Sequence, residues 1–125
     1  MSTAPRNFNR RQALEKEVKD LYAKITIGAS GACTLTEGYG FASVTKMGTG
    51  DYKLVLQDKY VSLKSFKATL VYSSANDINF QVKDHDVTAT APYVEFFTLT
   101  GGSAANATSG AVILVKLEVK NTSVV

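Results

Sequence analysis

Residues 41–57 read FASVTKMGTGDYKLVLQ, and their pattern is the clearest indication of the fold class. Its second half places Tyr52, Leu54 and Leu56 at every second position. A period of two puts alternate side chains on one face of a β-strand. The glycine-rich segment 47–51 between the two halves is typical of a tight turn. The stretch therefore predicts a β-hairpin.

The same period of two extends in both directions from this hairpin. Further strands are predicted at Ile25–Ile27, Cys33–Leu35, Phe66–Tyr72, Ile78–Val82, Tyr93–Thr100 and Ala111–Lys120. Turns rich in small and polar residues separate them, and the loop 101–110 is either a flexible connection or a surface that meets a neighbouring subunit. Seven to nine short strands predict an all-β domain over residues 25–125, a small antiparallel β-sandwich or a jelly-roll-like barrel.

Residues 1–24 have a different pattern and predict an N-terminal arm. After an extended tail, Leu14, Val18 and Leu21 recur at spacings of four and three, which favours a short α-helix over residues 10–23. A helix of about 14 residues is marginal in water by itself. Its apolar stripe must be buried, either against the β domain of its own chain or against sister subunits. Burial between subunits predicts a homo-oligomer.

The charge of the chain is concentrated in the same arm. Residues 1–24 hold six basic and three acidic side chains, whereas residues 25–125 hold eight of each sign. Arg6, Arg10 and Arg11 are candidates for contacts with carboxylates of a partner, or they stay solvated. A neutral body lacks the clustered positive face that phosphate binding requires, so we expect no nucleic acid as a partner.

The side chains needed for catalysis or metal binding are scarce. Cys33 and His85 are the only cysteine and histidine. Cys33 falls in an apolar alternation that favours a structural thiol. His85 lies between Asp84 and Asp86 in a polar segment predicted to be a turn, where adjacent residues rarely converge on one ion. The sequence predicts a protein that is not an enzyme and has no cofactor or metal.

Segments that would direct the chain to a membrane are also missing from the pattern. The sequence has no apolar run of about 18 residues, the length that a transmembrane helix needs. Its first residues lack the apolar core of a secretory signal, so we expect synthesis in a cytoplasm and no membrane partner.

A glycan-binding β-sandwich is an alternative function for such a domain. Domains of that kind present planar aromatic side chains on an open face. Tyr39, Tyr60 and Tyr93 flank predicted turns and are candidates for exposure, whereas the phenylalanines fall within alternating strands and favour core packing.

Two stretches resemble a family of small structural proteins. Residues 40–58, GFASVTKMGTGDYKLVLQD, are similar to a hairpin pattern of tailed-bacteriophage virion proteins, and residues 110–123, GAVILVKLEVKNTS, are similar to their final strand. The resemblance implies a capsid decoration (cement) protein bound to the outside of a phage head, or a related tail, fibre or baseplate module. It implies the major capsid protein or other virion subunits as partners and the virion as location. Because virion surface lattices offer three-fold sites, it also implies that the homo-oligomer is a trimer. It carries over no catalytic or binding residues.

Overall fold

A computed structural model describes residues 18–120 of the chain. These residues form nine β-strands and one turn of 3-10 helix, Ala29–Gly31. The strands are β1 (Val18–Ile27), β2 (Cys33–Tyr39), β3 (Phe41–Gly48), β4 (Asp51–Leu56), β5 (Ser62–Val71), β6 (Asn79–Asp86), β7 (Tyr93–Thr100), β8 (Ser103–Ala104) and β9 (Val112–Lys120).

The strands form two antiparallel sheets. Sheet A has the order β2-β1-β9-β5, and sheet B has the order β3-β4-β7-β6, with the short strand β8 pairing with the end of β7. The predicted hairpin is present as β3 and β4, with Val44 opposite Leu54. The prediction of an all-β domain is confirmed, and the two sheets give it a sandwich-like form.

The alternation of apolar residues places one shared core between the sheets. Sheet A contributes fully buried side chains such as Ile25 and Leu117, and sheet B contributes Leu54 and Phe96. The Phe96 ring lies 5.3 Å from the ring of Phe66, so an aromatic contact joins β7 of sheet B to β5 of sheet A. Burial of these alternating residues supplies the main favourable term for folding.

One side of the core is closed by the connection from sheet A to sheet B. Gly40 alone links β2 to β3, with a φ of 89°. A Cβ atom at this position would lie 2.4 Å from Cδ2 of Leu21. Glycine is therefore required for both the backbone conformation and the space.

The loop 101–110 is anchored to the body through Asn106. The Asn106 side chain accepts a hydrogen bond from the Gly50 N–H at 3.0 Å and donates one to the Ser30 carbonyl at 3.1 Å. The next residue, Ala107, is buried. Of the two interpretations of this loop, the flexible connection is inconsistent with these anchoring contacts at the centre of the loop.

The prediction of a helix over residues 10–23 is wrong where the structure describes it. Residues 18–23 belong to β1, which pairs with β9 from Val18–Lys120 to Thr26–Val112. Leu21 is fully buried and Val18 is exposed, because residues three apart in a strand point to opposite faces. Leu21 begins the alternation of buried residues that continues to Ile27. Its spacing of three from Val18 matches a helical repeat, but the segment is a strand.

This correction also affects the predicted arm. The boundary between residues 24 and 25 falls inside β1, and a chain that began at Lys24 would lose more than half of that strand. Residues 18–23 therefore form no helical stripe, and the predicted homo-oligomer, a trimer, no longer has a helical stripe in these residues to support it. Arg6, Arg10, Arg11 and Leu14 lie outside the described residues.

Candidate functional site

The outer face of sheet A carries most of the exposed apolar surface. Of the eight large apolar side chains that are exposed between residues 18 and 120, five lie on this face: Val18, Tyr22, Tyr39, Val71 and Leu114. Single exposed apolar residues are ordinary, but their concentration on one face is typical of an interaction surface.

Two tyrosines form the centre of this surface. Tyr22 of β1 lies directly opposite Tyr39 of β2, and the two side chains are 50% and 58% exposed. Leu114 of β9 lies on the diagonal from Tyr22, because it pairs with Lys24. These residues, with Lys24 and Glu37, line a shallow depression of about 360 Å³, which we call the tyrosine depression.

The two sheets differ in charge. The strands of sheet A carry six lysines and three carboxylates, a net charge of +3. The strands of sheet B carry three lysines and four carboxylates, a net charge of −1. The body has little net charge as a whole, as the sequence indicates, but sheet A, which carries the tyrosine depression, is positive.

A cluster of charged side chains lies on the outer face of sheet B. Lys83 Nζ lies 2.9 Å from Asp51 Oδ2 and 3.2 Å from Glu95 Oε2. Both carboxylates are largely covered, whereas the lysine is 43% exposed. Lys83 also lies over the ring of Phe97, with its Nζ atom 5.3 Å from the centre of the ring. The cluster joins strands β4, β6 and β7, so its first consequence is to hold sheet B together.

The two carboxyl groups of this cluster titrate differently. A hydrogen bond with Asp51, together with burial, raises the pKa of Glu95 above its usual value. Burial alone would raise the pKa of Asp51, but hydrogen bonds from Glu95 and Lys83 outweigh it and lower that pKa. Two neighbouring carboxyl groups beside one lysine disfavour two negative charges at once, so the pKa of one is raised and the pKa of the other is lowered.

Replacing Asp51 with asparagine should therefore lower the pKa of Glu95, because the neighbouring negative charge is removed while Lys83 remains. Carbon-13 NMR of the side-chain carboxyl groups measures this value directly. Asp20→Asn, at the Lys116 pair on sheet A, is the matched control and should leave Glu95 unchanged. A raised pKa makes Glu95 stabilising below its unfolded pKa, and this contribution is lost as the pH rises through the folded pKa. An unchanged pKa of Glu95 in the Asp51 variant would contradict this coupling between the two carboxyl groups.

The structure gives the segment 84–86 a structural role. It belongs to β6 and not to a turn, and the Asp84 carboxylate accepts hydrogen bonds from the His85 N–H and the Tyr93 hydroxyl. Asp86 accepts from both the N–H and the hydroxyl of Thr88. Within residues 18–120, no group of three histidine, cysteine or acidic side chains is arranged to hold a metal ion.

The three tyrosines that the sequence offers for exposure have different positions. Tyr39 is exposed, Tyr60 is buried, and Tyr93 is half-buried with its hydroxyl 2.9 Å from Asp84 Oδ2. The partner of Tyr39 on the surface is Tyr22, which the sequence places in a helix. A prediction that the first strand begins at residue 18 would have identified Tyr22 as part of this surface.

The other predicted residues contribute less to this face than expected. Val18 is on the outer face of sheet A, 40% exposed, whereas Leu21 is in the core.

Cys33 is half-buried against the core, and burial raises the pKa of its thiol, which favours the unreactive form. In the part of the chain that the structure describes, no helix is long and apolar enough to cross a membrane.

Comparison of the chain with models of protein families, with curated proteins and with solved structures finds no match.

Proposed function

We propose that this chain is a non-enzymatic structural subunit that binds a larger protein assembly through the outer face of sheet A. The resemblance of residues 40–58 and 110–123 to phage virion proteins makes that assembly a virion. Capsid decoration, with the major capsid protein as partner, is the specific form of the proposal, and a tail, fibre or baseplate module is the alternative placement.

The observation that carries the proposal is the apolar surface around the tyrosine depression. Tyr22, Tyr39 and Leu114 combine aromatic and aliphatic area on rigid strands. Tyrosine is enriched in protein interfaces because it supplies a large contact area while keeping a polar end. Holding these side chains on paired strands also reduces the entropy lost on binding.

The positive charge of sheet A suggests the character of the partner surface. A net charge of +3 on its strands complements an acidic protein surface. Exposed charge pairs contribute only about 0–1 kcal/mol each, so the apolar contact supplies most of the affinity. Binding should accordingly weaken with added salt without disappearing.

The arm belongs to the same proposal. Arg6, Arg10 and Arg11 precede β1, and β1 begins at Val18 on the proposed docking face. We propose that the three arginines make additional contacts with carboxylates of the partner.

A particle-binding assay tests this proposal. The chain is added to virions that lack it, prepared from a genome in which its gene is deleted, and bound chain is measured after sedimentation. Tyr22→Ser combined with Leu114→Ser should reduce binding at least about tenfold, since two apolar contacts are removed at the centre of the interface.

The matched control changes two exposed apolar side chains away from this face, Met47→Ser and Val61→Ser. It should leave binding within about twofold of the unmodified chain. Equal losses in both variants, or full binding by the Tyr22 and Leu114 variant, would place the docking surface elsewhere.

Glycan binding is a second candidate function, favoured by the composition of the same depression. Two exposed tyrosine rings lie next to Lys24 and Glu37, which can exchange hydrogen bonds with hydroxyl groups. NMR titration with a panel of neutral oligosaccharides should then shift the signals of residues around Tyr39, and Tyr39→Ala should abolish the shifts. Unshifted spectra across the panel would exclude this candidate and leave protein docking.

A further inference from the structure

The side of the domain opposite Gly40 is open. β5 is an edge strand of sheet A and β6 is an edge strand of sheet B, and the loop 72–78 connects them. Within residues 18–120, each of these strands pairs with one neighbour, so each presents a row of backbone groups without a strand beside it. Between the two edges lies a groove of about 710 Å³.

The walls of the groove include side chains that face the core. Phe66 and Leu70 of β5 and Phe80 of β6 line it, and all three are only partly buried. Phe66 and Phe80 pack against Phe96, with ring centres 5.3 Å and 6.3 Å away. A further layer covering this side would bury apolar surface that belongs to the core itself.

The two edges carry complementary charges. β5 contains Lys64 and Lys67, both exposed, and has no acidic residue. β6 contains Asp84 and Asp86 against one lysine, Lys83, and Asp77 lies two residues before the start of β6, in the loop. Each edge therefore disfavours pairing with its own copy and favours pairing with the other edge.

We propose that a second copy of this chain closes the open side, with β5 of each copy pairing with β6 of the other. The two copies are related by a two-fold axis that lies at the open side and runs parallel to the strands. This rotation places sheet A of each copy beside sheet B of the other. It brings both crossed pairs together at once and extends each sheet from four main strands to eight. Such an axis preserves strand direction, so β5 and the β6 of the second copy run antiparallel, as they do within one chain.

Charge also argues against the chain's own arm as the occupant of the groove. Residues 1–17 carry four basic and two acidic side chains, and the β5 edge is basic. This dimer, in which each β5 pairs with the β6 of the other copy, leaves the outer face of sheet A free. The inference therefore does not depend on the proposed docking function, and either can fail alone.

Analytical ultracentrifugation of the full chain tests the inference. The unmodified chain should sediment as two copies. Lys64→Glu with Lys67→Glu should weaken self-association at least about tenfold, because acidic β5 edges then face acidic β6 edges. Asp77→Lys with Asp84→Lys should weaken it to a similar degree.

An equimolar mixture of these two variants is the decisive sample. One variant has acidic β5 and β6 edges, and the other has lysine on both edges. In a dimer of one copy of each, both interfaces join a lysine edge to an acidic edge, so the mixture should sediment as two copies again. Lys24→Glu with Lys59→Glu reverses as many charges away from the open side and should sediment as the unmodified chain does. A single-copy or three-copy mass for the unmodified chain would overturn the proposal. So would a mixture that fails to reassociate although circular dichroism shows both variants folded.

Discussion

Replacing Leu21 with alanine should lower the free energy of unfolding by about 2–5 kcal/mol, the usual cost of a cavity in a packed core. Leu21 is fully buried, and its Cδ2 atom fills the space beside Gly40 where sheet A connects to sheet B. The loss therefore affects both the core and the closed side of the domain. Urea unfolding followed by circular dichroism measures it.

Val18→Ala is the matched control for this prediction. Val18 begins the same strand but points outward and is 40% exposed, so its truncation should change stability by no more than about 0.5 kcal/mol. Equal effects at the two positions would indicate a shared helical stripe, and they would contradict β1 as described.

Replacing Phe96 with alanine should cost about 3–5 kcal/mol, the largest loss that we expect from a single side chain. Its ring is fully buried and packs against Tyr52 at 5.8 Å, as well as against Phe66 and Phe80. These contacts join both layers and the open side. The same urea measurement applies.

The adjacent residue provides the comparison for Phe96. Phe97 points to the outer face of sheet B, where it is half-buried beneath Lys83. Phe97→Ala should therefore cost only about 1 kcal/mol. A larger loss at Phe97 than at Phe96 would mean that the register of β7 is shifted by one residue, which exchanges the two faces.

The fold class could be predicted because its signal is local. Strands with a visible alternation, such as Tyr52–Leu56, pack one of their two faces against the core, and a period of two suffices to identify them. The helix prediction was wrong for residues 18–23 because the spacing of three from Val18 to Leu21 fits one face of a helix, whereas in β1 these two side chains point to opposite faces. The pairing of residues 18–26 with β9 distinguishes a strand from a helix here, and partners that are 86 to 102 residues apart leave no local signal.

The candidate sites depend on register in the same way. Asp51 and Glu95 are separate in sequence, and they meet because β4 pairs with β7 so that Lys53 lies opposite Glu95. Tyr22 and Tyr39 are adjacent only through the pairing of β1 with β2. The charge difference between the sheets likewise depends on which strands share a layer, so counting the charges of the body as one unit conceals it.

Cryo-electron microscopy of particles from the phage proposed to carry this chain is the sharpest test of the proposed virion role. If the chain decorates the particle, its density occupies regular positions at full occupancy. The outer face of sheet A, with Tyr22 and Tyr39, then lies against a neighbouring virion subunit. Particles without the chain, or a chain bound with sheet A facing solvent, would overturn the proposal.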